Sequence, residues 1–195
     1  MKKMKRFAAL LLALCVSFSV LTACGEKEDT STLRVCLPDA PATLDPAMVT
    51  TDSEKIVVSH LYENLMKLTG DGADGYEVVS GLARSYQCED GLDGTQTYTF
   101  TLRDSVKWSD GRNVTAQDFV YAWQRLADPA TASPNAAMLE MVAGYDTVRS
   151  GGDVTALQVS APDGHTLVVV LKERCAYFVD QICTAAATIK RRRSA

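Results

Sequence analysis

The sequence contains few of the residues that enzymes use most often for catalysis. Only two of its 195 residues are histidines, His60 in a predicted amphipathic helix and His165 after a predicted turn. No GxSxG, HExxH or P-loop pattern occurs, so the usual signatures of serine hydrolases, zinc proteases and P-loop ATPases are missing. Because a serine or cysteine nucleophile requires a nearby base, the sequence predicts that the protein is not an enzyme.

A carboxylate pair is the remaining route to hydrolysis. Asp104, Asp110 and Asp118 lie close together in the sequence. However, Asp118 is placed to cap a helix, Asp110 lies in a turn and Asp104 follows a strand. A membrane-anchored hydrolase is therefore a distant alternative.

Patterns for metal ions and cofactors are also missing. The sequence has no CxxC motif and no cysteine–histidine cluster, so we expect neither a metal nor a cofactor. Cys15 and Cys24 lie near the N-terminus, and the other four cysteines are Cys36, Cys88, Cys175 and Cys183. An even number outside the cytoplasm permits disulfides, but spacing alone does not pair them. Buried free thiols are the simpler expectation.

Basic residues are scarce in the body of the chain. All 24 Asp and Glu residues lie within 24–189, together with only 12 of the 20 Lys and Arg residues; four others lie in 1–23 and four in 190–193. Because nucleic-acid binding depends on neutralising phosphate charge, this balance argues against a nucleic-acid partner. Residues 188–195 follow this acidic body as a strongly basic tail.

The N-terminus has the pattern of a secretory signal. Four basic residues in MKKMKR precede an apolar run over 7–21, which is shorter than the roughly 20 residues of a spanning helix. LTAC at 21–24 is similar to a bacterial lipobox, a resemblance that implies cleavage before Cys24 and lipid attached to it. We expect a lipoprotein signal peptide over 1–23, a polar linker over 24–32 and an extracytoplasmic domain anchored to the cell membrane. An uncleaved anchor and an ordinary signal-peptidase site are the alternatives.

Hydrophobic periodicity predicts both strands and helices in the rest of the chain. Alternation indicates strands over 33–37, 76–79, 84–88, 157–159 and 167–171. Helices are predicted from residue 52 onward, over 136–148 and over 177–186. The first of these is capped by Asp52 or Ser53, and its predicted buried stripe is Ile56, Val57, Leu61, Leu65 and Leu68. This mixture indicates an α/β (mixed α+β) fold.

The clearest strand and helix follow one another between residues 96 and 126. In QTYTFTLR, the large residues Tyr98, Phe100 and Leu102 alternate with threonines, which predicts a strand with one buried face. Thr115 with Asp118 three residues later predicts a helix start with a capping box. On this helix, the residues predicted to face the core are Phe119, Ala122, Trp123 and Leu126.

An ordered set of motifs resembles a known family. TLDPA (43–47), HLYENL (60–65), TYTFTLR, VKWSDGRNVTAQDFVYAWQRL, DPATASP (128–134) and APDGHTLVVVL (161–171) occur along the chain. Together they are similar to the N-terminal part of oligopeptide-binding proteins. These belong to the dipeptide/oligopeptide/nickel class of extracytoplasmic solute-binding proteins that serve ABC importers.

The resemblance implies the N-terminal portion of a two-lobed periplasmic-binding-protein type II fold. Residues 33–62 would begin the first lobe, and residues 63–187 would form mostly the extra α/β domain that is inserted in it. The second lobe and the hinge of this family have no counterpart in these 195 residues, so the chain is expected to be truncated and to bind peptide poorly by itself. The resemblance also implies that the basic tail over 188–195 is an aberrant end, and a genuine short variant is the alternative.

The resemblance also implies a ligand-binding loop. The loop after the LDP motif borders the cleft in this family, which here corresponds to Thr50, Thr51 and Asp52; helix capping is the alternative role. The residue after TASP, commonly a tyrosine at the cleft edge, is Asn135. The implied partners are short peptides and the membrane permease subunits of an ABC importer. Nickel, haem or sugar ligands remain open, as does a signalling or interaction lipoprotein that uses only the extra domain.

Overall fold

A four-stranded antiparallel sheet is the centre of the structure, which is a computed structural model that describes residues 34–70, 72 and 75–189. The strands lie in the order β3 (Ala83–Asp90), β4 (Gln96–Leu102), β6 (Thr166–Leu171) and β5 (Val159–Ser160). Tyr98 pairs with Val169 and Phe100 with Leu167, so large apolar side chains share one face. The predicted alternation in β4 is confirmed, because Tyr98, Phe100 and Leu102 are buried while the threonines between them are half-buried.

Helix α2 (Ala116–Ala127) covers the apolar face of this sheet. Thr115 is its N-cap as predicted, and the backbone N–H of Thr115 donates to the Asp118 carboxylate at 2.9 Å. Trp123 is 1% exposed, its indole N–H donates to the Ala187 carbonyl at 3.1 Å, and its ring meets Phe178 edge-on. The predicted core face of α2 is confirmed, since all four of its members are buried: Phe119, Ala122, Trp123 and Leu126.

The first helix is shorter than its hydrophobic pattern suggests. Helix α1 (Asp52–Leu61) ends at Leu61, and the chain then forms the hairpin β1 (Met66–Gly70) and β2 (Tyr76–Ser80). As a helical face the predicted stripe is therefore wrong: Ile56 and Leu61 are exposed, and Val58 is the buried apolar residue of the helix. Leu65 is buried as predicted, but it and Leu68 lie beyond the helix. The stripe fails because the chain bends after Leu61, so later apolar residues no longer share a helical face.

A close backbone contact holds this bend. The Leu65 carbonyl accepts hydrogen bonds from the N–H groups of Gly81 and Ala83 at 3.0 and 2.9 Å. A Cβ atom at position 81 would lie 2.3 Å from the Asn64 carbonyl oxygen, so only glycine fits there. The end of α1 is thus set by tertiary hydrogen bonds rather than by helix propensity.

Two other predicted helices are wrong in length. In place of a helix over 136–148, the structure has a 3₁₀ turn (Ala136–Leu139) and helix α3 (Tyr145–Arg149). Between them Val142 pairs with Leu171 as an isolated β-bridge, and Gly144 has a φ of 82°, which interrupts a right-handed helix. The predicted 177–186 helix is reduced to α4 (Phe178–Ile182) and a 3₁₀ turn (Ala185–Ala187).

The prediction for residues 33–37 is also wrong over the part that the structure describes. Residues 34–37 are not assigned to a strand. A short alternating segment becomes a strand only where another strand offers its edge, and the six strands of the described residues pair with one another instead. Among the described residues there is also no helix with the length and apolarity required to cross a membrane.

Candidate ligand-binding loop

The loop of residues 45–52, which leads into α1, is held by a capping box. Thr51 has an extended backbone and its hydroxyl accepts the Glu54 N–H at 3.3 Å. In return, the Glu54 carboxylate accepts the Thr51 N–H at 3.0 Å. The N-cap of α1 is therefore Thr51, and the prediction of Asp52 or Ser53 is off by one or two positions.

The Glu54 side chain holds this loop through several hydrogen bonds. Its side chain is buried and accepts further hydrogen bonds from the Thr50 N–H at 2.7 Å, the Thr50 hydroxyl at 3.2 Å and the Ala42 N–H at 3.2 Å. The backbone N–H groups of Thr50 and Thr51 favour the charged carboxylate, which lowers the pKa of Glu54 to about 2. Sequence reasoning missed Glu54, although Thr51-x-x-Glu54 is itself a capping-box pattern.

The side chain of Asn135, which is distant in sequence, contacts the same loop. Its side-chain amide donates to the Val49 carbonyl at 2.8 Å and lies 3.4 Å from the Ala47 carbonyl. The Ser133 hydroxyl also donates to the Ala47 carbonyl. The structure therefore brings Asn135 against the loop that contains Thr50, Thr51 and Asp52, and their role at a ligand cleft stays a prediction. The amide hydrogens of Asn135 contact the loop backbone, which makes it a support of the loop.

An ion pair joins the loop to α2. The Arg125 guanidinium contacts both carboxylate oxygens of Asp45, at 2.9 and 2.7 Å, and the two side chains are 24% and 18% exposed. Asp45 also accepts the Ala47 N–H at 3.3 Å at the start of a 3₁₀ turn (Pro46–Met48). This ion pair thus links the TLDPA motif to the helix of the VKWSDGRNVTAQDFVYAWQRL motif.

The loop carries exposed polar groups. Thr50 and Asp52 are exposed, while Thr51 and Asn135 are half-buried. A hydroxyl can donate and accept hydrogen bonds with a polar ligand, and a carboxylate can accept them.

The nearest histidine in sequence, His60, is exposed and has its Nδ1 atom 2.7 Å from the Ile56 carbonyl in its own helix. Across residues 34–70, 72 and 75–189, no group of three His, Cys, Asp or Glu side chains is placed to hold a metal ion.

Two surface pockets lie away from the loop. They measure about 480 and 450 Å³ and share Val106, Lys107 and Val114 in their walls. The larger also contains His60 and Trp108, and the smaller contains His165. Neither is lined by Thr50, Thr51, Asp52 or Asn135.

Comparison with known proteins identifies the family. Residues 77–193 match the family described as bacterial extracellular solute-binding proteins, family 5, middle. The chain belongs to this family. The periplasmic murein peptide-binding protein MppA of Escherichia coli is 40% identical over 148 residues, which cover 74% of this chain and 26% of that protein. The oligopeptide-binding protein OppA of Bacillus subtilis is 33% identical over 189 residues, 90% of this chain and 33% of that protein.

Solved structures of peptide-binding proteins show the same fold. The murein tripeptide binding protein MppA of E. coli superposes with a TM-score of 0.72 at 37% identity, over 80% of this chain and 30% of that chain. Haemophilus influenzae OppA in complex with the peptide RPPGFSPFR gives a TM-score of 0.68 at 34% identity, over 76% of this chain and 28% of that chain. The predicted family and the mixed α/β, type II periplasmic-binding-protein fold are confirmed.

The family match covers only part of the relatives. The chain spans 26% of the E. coli MppA sequence and 24% of E. coli OppA, about a quarter of each. The predicted signal peptide over 1–23, Cys24, the linker over 24–32 and most of the predicted tail lie outside the described residues. The division at residues 62 and 63 between a first lobe and an extra domain stays a prediction.

The buried carboxylate of Glu54 leads to a pH prediction. Its pKa falls from an ordinary 4.5 to about 2 in the folded state, so the folded protein binds fewer protons than the unfolded chain between these values. Stability from Glu54 is therefore complete above about pH 4.5 and is lost as the pH falls toward 2. We expect the melting temperature to fall more steeply over this window in the native chain than in a Glu54→Gln variant.

Thermal unfolding followed by circular dichroism at a series of pH values measures this difference. Glu77→Gln, on the exposed hairpin strand β2, is the matched control for loss of one carboxylate. Equal slopes for the native chain and Glu54→Gln would show that the loop hydrogen bonds do not favour the charged form.

Proposed function

We propose that this chain is part of an extracytoplasmic lipoprotein that captures short peptides and delivers them to an ABC importer. The observation that carries the proposal is its membership of family 5, because relatives over 70% or more of the chain are named for binding murein peptides or oligopeptides. The 45–52 loop supports it, because its exposed polar groups stand on a backbone held by hydrogen bonds to Glu54 and Asn135, and a pre-organised site binds a polar ligand at low entropic cost. The protein is not an enzyme in this proposal.

A chimera tests whether this chain can serve peptide binding. The aligned segment of E. coli MppA is replaced by the corresponding residues of this chain, and murein tripeptide binding is measured by calorimetry. We expect an affinity within about tenfold of the parent, or about 1.4 kcal/mol. A folded chimera without binding would contradict the proposal and favour an interaction or signalling role.

The 195 residues by themselves are expected to bind short peptides weakly or not at all. Binders of this kind close two lobes over a ligand, and the relatives are about four times longer than the matched segment. Calorimetry with mixed short peptides checks this expectation. Micromolar binding by this polypeptide alone would show that the matched segment is sufficient.

Thr50 is proposed to contact the ligand. In the chimera, Thr50→Ala is expected to weaken peptide binding by roughly 0.5–1.5 kcal/mol, the contribution of one hydrogen bond. Thr50→Ser keeps the hydroxyl and should keep the affinity. An unchanged affinity in Thr50→Ala would assign the hydroxyl to loop structure alone.

Asn135→Ala, in contrast, should lower the free energy of unfolding by about 1 kcal/mol because it leaves the Val49 carbonyl without its donor.

Membrane anchoring through Cys24 belongs to the same proposal. Metabolic labelling with a fatty acid should mark the native chain and not a Cys24→Ser variant. Equal labelling of both would contradict lipid attachment at this residue. Loss of the label with retained peptide capture would separate anchoring from binding.

A further inference from the structure

Two cysteines that lie far apart in the sequence are both placed beside Tyr98 in the fold. Cys88 is exposed on β3, while Cys175 precedes α4 and is 2% exposed. Both are free thiols in the structure. Their sequence separation gave no basis for pairing them, but the sheet places both beside one side chain, that of Tyr98.

Tyr98 connects the two cysteines. Cys88 is the cross-strand partner of Tyr98, so their side chains stand on the same face of the sheet. Burial, followed by the neighbouring Cys88 thiol, raises the pKa of the Tyr98 hydroxyl. That hydroxyl donates to the Cys175 carbonyl at 3.3 Å.

Polar contacts hold the segment that carries Cys175 against β3 and β4. The Cys175 N–H donates to the Gln96 side-chain carbonyl at 3.2 Å, and the Gln96 amide donates to Asp90 at 3.0 Å. Arg174 also contacts the Asp90 carboxylate at 3.1 Å. Residues 174 and 175 are thus attached to the same end of the β3–β4 pair that carries Cys88.

We propose that Cys88 and Cys175 are a disulfide site. Family 5 proteins are extracellular, and disulfides form and persist outside the cytoplasm. The exposed Cys88 thiolate attacks a low-molecular-weight disulfide and releases one thiol. The Cys175 thiolate then attacks the mixed disulfide at the Cys88 sulfur and releases the second thiol. Two protein thiols are oxidised and one external disulfide is reduced to two thiols.

The bond would tie the edge strand β3 to the segment before α4. β3 has one neighbouring strand, β4, and seven of its eight residues are exposed. A covalent link at Cys88 restricts the unfolded chain over the long segment that separates the two residues. It would also attach the sheet edge to the core through Phe178, which packs on both Tyr98 and Trp123.

Peptide mapping tests the proposal on the full chain, in which Cys15 and Cys24 are replaced by serine. The folded protein is equilibrated with reduced and oxidised glutathione, quenched by alkylation and digested without reduction. We expect a cross-linked peptide pair that contains Cys88 and Cys175 and lacks two hydrogen atoms. The oxidised form should also melt roughly 5–10 °C higher than the reduced form.

Two variants separate this bond from other outcomes. Cys88→Ser, at an exposed position, should remove both the cross-link and the rise in melting temperature. Cys183→Ser should leave both, because the Cys183 thiol donates to the Val179 carbonyl at 3.1 Å within its own segment. Alkylation of both Cys88 and Cys175 in the oxidised sample would overturn the proposal, as would a cross-link from Cys88 to Cys36 or Cys183. None of these results depends on peptide binding.

Discussion

Replacing Trp123 with alanine is expected to lower the free energy of unfolding by roughly 3–5 kcal/mol. The indole ring is 1% exposed, lies between α2 and the segment at Ala187, and packs edge-on against Phe178. Removing it leaves a cavity and also leaves the Ala187 carbonyl without its 3.1 Å donor. Urea denaturation followed by far-ultraviolet circular dichroism measures the loss.

Trp123→Phe is the matched variant for this experiment. It keeps an aromatic ring in the core but removes the indole N–H, so we expect a loss of about 1–2 kcal/mol. Tyr76→Ala serves as the exposed aromatic control, because its side chain is 79% exposed. A loss below about 1 kcal/mol in Trp123→Ala would mean that the core around α2 does not depend on this ring.

Replacing Asp45 with alanine is expected to lower the free energy of unfolding by about 2–3 kcal/mol, the second large effect. This loss is smaller than the roughly 3–5 kcal/mol that is typical of breaking a fully buried ion pair. The carboxylate binds Arg125 through two contacts of 2.9 and 2.7 Å and also accepts the Ala47 N–H. Its removal leaves a guanidinium that is only 24% exposed without this partner. Because the pair links the 45–52 loop to α2, the loop should also lose protection against hydrogen exchange.

A double-mutant cycle with Arg125→Ala isolates the pair. We expect a coupling energy of at least about 1 kcal/mol between Asp45 and Arg125. The Asp146–Lys172 pair, at 3.4 Å with side chains 78% and 40% exposed, is the exposed control and should contribute about 0.2–1 kcal/mol. Equal coupling in the two pairs would contradict the structural importance of the Asp45–Arg125 contact.

The predicted binding loop shows what a motif can and cannot locate. The resemblance assigned Thr50–Asp52 and Asn135 to the border of a ligand cleft, and this assignment stays a prediction. In the structure, the Asn135 amide donates to the Val49 carbonyl, which directly precedes Thr50. The resemblance did not reveal that Asn135 supports the loop, or that the buried Glu54 carboxylate accepts hydrogen bonds from the loop backbone. Those roles depend on which backbone groups face each side chain after folding, and residue type alone does not specify them.

The secondary-structure predictions failed where tertiary contacts compete with local preference. Residues 136–148 have helical periodicity, yet Val142 pairs with the sheet and Gly144 approaches the Ala156 backbone too closely for any Cβ. The apolar pattern after Leu61 likewise continues into a strand, because the Leu65 carbonyl is bound by Gly81 and Ala83. Hydrogen bonds to distant segments outweigh helix propensities of less than about 1 kcal/mol per residue.

The sequence by itself determined the family, the fold class, the alternating strand β4 and the capped helix α2. Those features are encoded in residues close together along the chain, where side-chain periodicity and capping chemistry act directly. Only the tertiary structure decided where α1 ends, how Asn135 holds the 45–52 loop, and that Cys88 and Cys175 both lie beside Tyr98. Each of these depends on contacts between segments far apart in sequence, and such contacts exist only after the chain has packed.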